Sequence, residues 1–111
     1  NMVRSKSEMM IDSSLYIHKI PFRYEDTLAL DDIILYPDFT IRHPKTGEYF
    51  YWEHFGLMDD PVYCKNTFSK LQLYTTNNIV PDINLITTYE TRERPLSMEK
   101  IERIITEHFI E

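Results

Sequence analysis

The chain has 111 residues, 42% of them hydrophobic and 14% aromatic, with two glycines, a single cysteine and a net charge of −6. This length and apolar content suit one domain with its own core, and they exclude a disordered tail, a repeat array and a disulfide scaffold. No run of 18 apolar residues and no basic-plus-apolar leader occurs, so the expectation is a cytoplasmic protein with no membrane partner. The acidic surplus counts against nucleic-acid binding by bulk electrostatics. Asn1 before Met2 is an odd native start and reads as one domain, residues 1–111, cut from a longer protein. Cys64 has no partner for a disulfide or a zinc cluster and is expected to be a small buried hydrophobe.

From about Val3 to His18, residues Ser7, Met10, Ile11, Ser14, Leu15 and His18 recur at helical spacing and predict an amphipathic helix. A short extended segment is expected over Phe22 to Leu30. A strand follows from Ile33 to Ile41, with Ile33, Leu35, Phe39 and Ile41 on one face and Asp38 on the other. The stretch His43 to Gly47 carries turn chemistry, so Glu48 to His54 is expected to return as the antiparallel partner strand. Pro61 opens a helix to about Asn77, with one stripe of Cys64, Phe68, Leu71 and Thr75 and a neighbouring stripe of Tyr63, Thr67, Lys70 and Tyr74. Asp59 and Asp60 mark the loop and first turn before it. Asn84 to Tyr89 reads as a short strand, and Ser97 to Phe109 as a closing helix with Ser97 near its cap. The expected order is αβββαβα, an α/β fold with a central mixed sheet flanked by helices.

Two acids interrupt this pattern: Asp38 in YPDFT and Glu53 in YWEHFG both lie in apolar, aromatic strand sequence. Carboxylates are disfavoured in strands and are rarely buried unless paired or bound to a metal. A divalent cation is the expected reason. With the helix that precedes them and the lysine-bearing helix that follows, these segments resemble the PD-(D/E)XK, or restriction-endonuclease-like, nuclease superfamily. VRSKSE, YPDFT, YWEHFG, the stretch from Lys70 to Tyr74 and NLITTYET look like an uncharacterised bacterial branch of it, over nearly the whole chain.

The resemblance implies that Asp38 and Glu53 hold Mg²⁺ or Mn²⁺, with the His54 main-chain carbonyl as a further ligand and Glu8 as an acid on the first helix. Oxygen donors in this number suit Mg²⁺, which takes one or two carboxylates and keeps several waters. The sequence departs from the pattern at Phe55, where the superfamily expects its lysine. Some members supply the ammonium from the next helix, which makes Lys70 the matching residue and leaves Tyr74 beside it on one helical face. The implied catalytic set is Glu8, Asp38, Glu53 and Lys70, acting on DNA or alternatively RNA, with Arg4, Lys6 and Tyr74 as nucleic-acid contacts and a homodimer as one assembly for cutting both strands.

Plainer readings stand beside each of these. Glu8 could pair with Arg4 on an exposed helix, Lys70 could be a solvated helix lysine, and Asp38 could simply end a strand. His54 points away from Glu53 by alternation and has no histidine at ligand spacing. Two rivals to the enzyme follow: a nuclease-like domain without activity that binds nucleic acid, favoured by Phe55 and the acidic charge, and a protein-interaction domain that uses the aromatic run Tyr49, Phe50, Tyr51 and Trp52.

Overall fold

The computed structural model describes residues 5–111. Helix α1 spans Lys6–Ile17 and begins with a Ser-x-x-Glu cap, in which Ser5 Oγ accepts the Glu8 amide at 3.1 Å. Its buried stripe is Ser7, Ile11, Ser14 and Leu15, three and four residues apart.

The central sheet has four strands in the order β1 (Phe22–Tyr24), β4 (Phe39–Arg42), β5 (Tyr49–Phe55) and β6 (Leu85–Tyr89). A separate antiparallel ribbon pairs β2 (Leu28–Leu30) with β3 (Ile33–Leu35). Strands β4 and β5 form the expected antiparallel hairpin, whose turn closes at Gly47 with φ of 77°. Strand β6 runs parallel to β5, which makes the sheet mixed. A parallel return needs a crossover, and helix α2 (Pro61–Thr76) supplies it.

The expected order αβββαβα is corrected at the segment before α2, which holds five strands. The single strand expected from Ile33 to Ile41 is broken: Ile33 and Leu35 belong to the ribbon, Phe39 and Ile41 to the main sheet. Pro37 is the physical cause, because it has no N–H for a ladder and restrains the residue before it. The extended segment from Phe22 is likewise divided, at Glu25, whose φ is 50°.

Alternation along the strands sorts the core into two layers. On one face Phe39, Ile41, Trp52 and Ile86 pack against Ile11 and Leu15 of α1 and against Ile101 and Ile105 of helix α3 (Met98–Ile105). On the other face Leu85 and Tyr51 meet Leu71 and Tyr74 of α2 and the leucines of the ribbon. Asp60 caps α2 by accepting the Val62 and Tyr63 amides, and Pro61 occupies its first turn. Of the two expected stripes on α2, the one with Thr67 and Tyr74 turns inward, while Phe68 stays 63% exposed. Ser97 caps α3 through the Lys100 amide, and the helix widens into a π-helical turn over Thr106–Ile110 that brings Phe109 back to the core. Among the described residues no helix is long and apolar enough to cross a membrane.

Candidate active site

Asp38 directly precedes β4, and Glu53 lies in the middle strand β5. Carrying the register one step past Phe39 and Trp52 sets the two acids opposite one another, on the face beneath α2. They open into a cleft of about 320 Å³ that Glu8, Glu25, Tyr63 and Lys70 also line.

Glu53 is 1% exposed, and an isolated carboxylate at that depth would be strongly unfavourable. Two residues one turn apart on α2 compensate it. Lys70 Nζ lies 2.7 Å from Glu53 Oε2, and the Tyr74 hydroxyl donates to the same oxygen at 2.5 Å. Burial, followed by the charge and hydrogen bond of Glu53, pushes the Tyr74 phenol up, so it remains a donor. Tyr74 is wholly buried. That corrects its expected place as a nucleic-acid contact: it holds a carboxylate and has no surface to offer.

Asp38 Oδ2 accepts the His54 amide at 2.7 Å. Its carboxyl is nevertheless raised to about 7, first by burial and then by the charge of Glu53, with Glu8 adding to the rise and the His54 amide and Lys70 opposing it. Among the described residues that line the cleft, Lys70 is the one Lys or Arg beside these acids. Glu8 reaches this cleft from the first turn of α1 and accepts the Tyr24 hydroxyl. Glu25 enters from the end of β1, and its amide donates to the Asp38 carbonyl at 2.9 Å.

The position expected to carry lysine is occupied by Phe55, which is buried and stacked on Tyr89 with ring centroids 5.5 Å apart. The ammonium beside Glu53 comes from α2 instead. The His54 side chain lies on the opposite face of the sheet, as alternation predicts. Its Nδ1 is 2.8 Å from Thr88 Oγ1 and its Nε2 is 2.6 Å from Glu90 Oε1, while Trp52 Nε1 donates to Thr88 Oγ1 at 3.1 Å and Ser7 donates to Glu90. Both ring nitrogens of His54 are thus engaged, Nδ1 by the Thr88 hydroxyl that also accepts from Trp52, and Nε2 by the Glu90 carboxylate. Burial acts to raise the Glu90 carboxyl, but hydrogen bonds from Ser7 and His54 outweigh it and bring the group below its usual range.

The His54 carbonyl points to the β4 side, the same side as its amide. Among the described residues no three His, Cys, Asp or Glu side chains converge closely enough to hold a metal ion, so any cation here would rest on two carboxylates, a carbonyl and water. Lys6 is exposed at the start of α1 and does not line the cleft. Arg4, and with it the expected pair with Glu8, lies outside the described residues. Glu25 was not singled out by the sequence, which gives no periodic or motif signal there.

No family model matches the chain, and no curated protein matches it significantly.

Proposed function

We propose that the chain is a metal-dependent nuclease with a restriction-endonuclease-like core that hydrolyses phosphodiester bonds of DNA, with RNA as the alternative substrate. The observation that carries this reading is the Lys70 ammonium, brought by α2 onto Glu53 beside Asp38, in the cleft where the sequence lacks the expected strand lysine. Asp38, Glu53 and the His54 carbonyl would hold Mg²⁺ or Mn²⁺, with Glu8 at the rim. The donors fit such an ion: all are oxygens, and the raised Asp38 marks uncompensated acid that a divalent cation would return to its charged form. When bound, the ion supplies a water of lowered pKa and neutralises charge on the phosphate.

The chain's own residues do the remaining work. Hydrolysis adds water to phosphorus and breaks the bond to the leaving sugar oxygen, so one proton must leave the water and charge must be met on the phosphate oxygens. Lys70, one-third exposed, can turn a donor toward a phosphate oxygen or the attacking water. Tyr74 keeps Glu53 fixed as Lys70 does so. With the ion bound, Asp38 would be a charged ligand whose Oδ2 is also held by the His54 amide, and the water's proton would pass to bulk solvent.

The tight Lys70–Glu53 pair also favours a second reading, a nuclease-like domain in which the lysine is only the counter-ion of a buried acid and the domain binds without cutting. Calorimetric titration with Mn²⁺ separates the two. The enzyme should bind Mn²⁺, lose that binding in Asp38→Asn and Glu53→Gln, and lose cleavage but not Mn²⁺ in Lys70→Ala. A folded wild type that binds no Mn²⁺, or a Lys70→Ala protein that cuts normally, sinks the catalytic reading.

A further inference from the structure

Four carboxylates, Glu8, Glu25, Asp38 and Glu53, line the cleft, so further contacts to a substrate strand are expected elsewhere on the molecule. The same sheet face carries the opposite charge further along. Asp38, Thr40 and Arg42 alternate onto one side of the chain at β4, Arg23 is paired with Thr40, and Tyr49 with Arg42. Past Asp38, the residues Pro21, Phe22, Arg23, Thr40, Arg42 and Tyr49 line a groove of about 360 Å³, and none of these six has a carboxylate. In a chain of net charge −6 that is a local reversal of sign.

Both arginines are exposed. Among the described residues Arg23 has one ion-pair contact, to Asp26 at 3.9 Å with both side chains well solvated, a weak pair that a phosphate can replace. Arg42 lies along Gly47 of the β4–β5 turn: a Cβ there would stand 3.7 Å from its Nη2, so the turn supports the guanidinium from below. A second groove shares Arg42 and Pro21 and adds His43 and Lys45, extending the basic lip. Arg42 lies four residues from Asp38, or roughly 13 Å along an extended strand, a separation that a strand of a few nucleotides spans.

Resting on the nuclease reading for its choice of ligand, we infer that the groove over β1 and β4 is a binding site for the sugar-phosphate backbone of a polynucleotide strand. Arg23 and Arg42 grip phosphates in fork geometry, Thr40 donates its hydroxyl, and the Tyr49 ring offers a stacking face to a base. DNA and RNA share this chemistry.

The test is fluorescence anisotropy with labelled oligothymidylate and, separately, oligouridylate, in EDTA and over a range of salt. Wild type, Arg23→Gln/Arg42→Gln and, as a control on the far side of the sheet, Lys100→Gln/Arg103→Gln are compared. The groove variant should bind about tenfold more weakly at low salt, with a salt slope smaller by about 1.4, or 0.7 for each single-strand phosphate contact removed. The control should match wild type. The inference is overturned if wild type binds neither oligonucleotide, if the groove variant keeps the wild-type slope, or if the control loses as much. Its failure is separable from that of the nuclease reading. Binding through the arginines without cleavage in Mn²⁺ leaves the groove and removes the enzyme, whereas cleavage with unchanged binding in the groove variant does the reverse.

Discussion

Strand β5 presents two buried polar clusters on opposite faces, one residue apart, and they are built differently. Below the sheet, both ring nitrogens of His54 have partners, Thr88 and Glu90. Above it, Glu53 is matched by Lys70 and Tyr74, yet Asp38 beside it is left with its carboxyl raised to about 7. A network that only holds a fold together finishes its hydrogen bonds and neutralises its charges. An acid kept out of its ordinary range, in a cleft, marks a place where something else is meant to bind or react. The contrast is what supports placing the proposed site on the face of Asp38 and Glu53.

The comparison can be broken or sharpened by substitution. Trp52 belongs to the completed face and is fully buried, so Trp52→Ala should lower stability by about 3–5 kcal/mol in denaturant unfolding. A much smaller loss would show that this face is not the core. Asp38 should dominate the pH dependence of the other face. Its folded pKa is raised, so its contribution to stability is complete below the unfolded value near 3.8 and is lost as pH climbs through about 7. The expected loss is on the order of 2–4 kcal/mol. Asp38→Asn should flatten that slope and be more stable than wild type at alkaline pH; parallel curves for the two proteins would contradict the raised carboxyl. Thr88→Val removes the acceptor of Trp52 and the hydroxyl partner of His54 Nδ1, which should cost about 1–3 kcal/mol while leaving the Asp38 titration, followed by NMR, unmoved. A shifted Asp38 midpoint would mean that the two faces are coupled.

The smallest effect is expected outside both clusters, at the pair that links α1 to α3. His18 Nε2 lies 2.7 Å from Glu102 Oε1, with the glutamate side chain 43% exposed, so Glu102→Gln should cost less than about 1 kcal/mol. The hydrogen bond from His18 holds the Glu102 carboxyl below its usual range. That contribution is therefore present above the ordinary carboxylate pKa and disappears as pH falls through the lowered one. Thermal melts at pH 3 and pH 7 check the sign.

Much of this was legible in the sequence because it rests on local chemistry. Ser97 marks the start of α3 by capping, Asp59, Asp60 and Pro61 mark that of α2, and the alternation around Trp52 and Glu53 assigns opposite faces to neighbouring residues, whereas the Ser5 cap of α1 was not read and the helix was expected to begin near Val3. The acids Glu8, Asp38 and Glu53 and the lysine Lys70 do meet in one cleft. What the pattern could not convey depends on tertiary partners. The break at Pro37 was obscured by apolar residues on both sides, which continue a period of two across it. The inward stripe of α2 was ambiguous because Thr67, Lys70 and Tyr74 face the sheet for the sake of a buried acid, against their polarity. Glu90 and Thr88 gave no signal, since their role exists only once β6 lies parallel to β5.

The bond from the His54 amide to Asp38 has a further consequence. The Tyr51 amide of the same strand is held by a carbonyl, that of Asn84, whose charge never changes. The His54 amide is held by a group that gains and loses a proton near neutrality. Its resonance and its rate of exchange with solvent deuterium should follow the ionisation of Asp38, so a single peptide proton in the middle strand serves as an indicator of the charge in the cleft, readable before any substrate has been found.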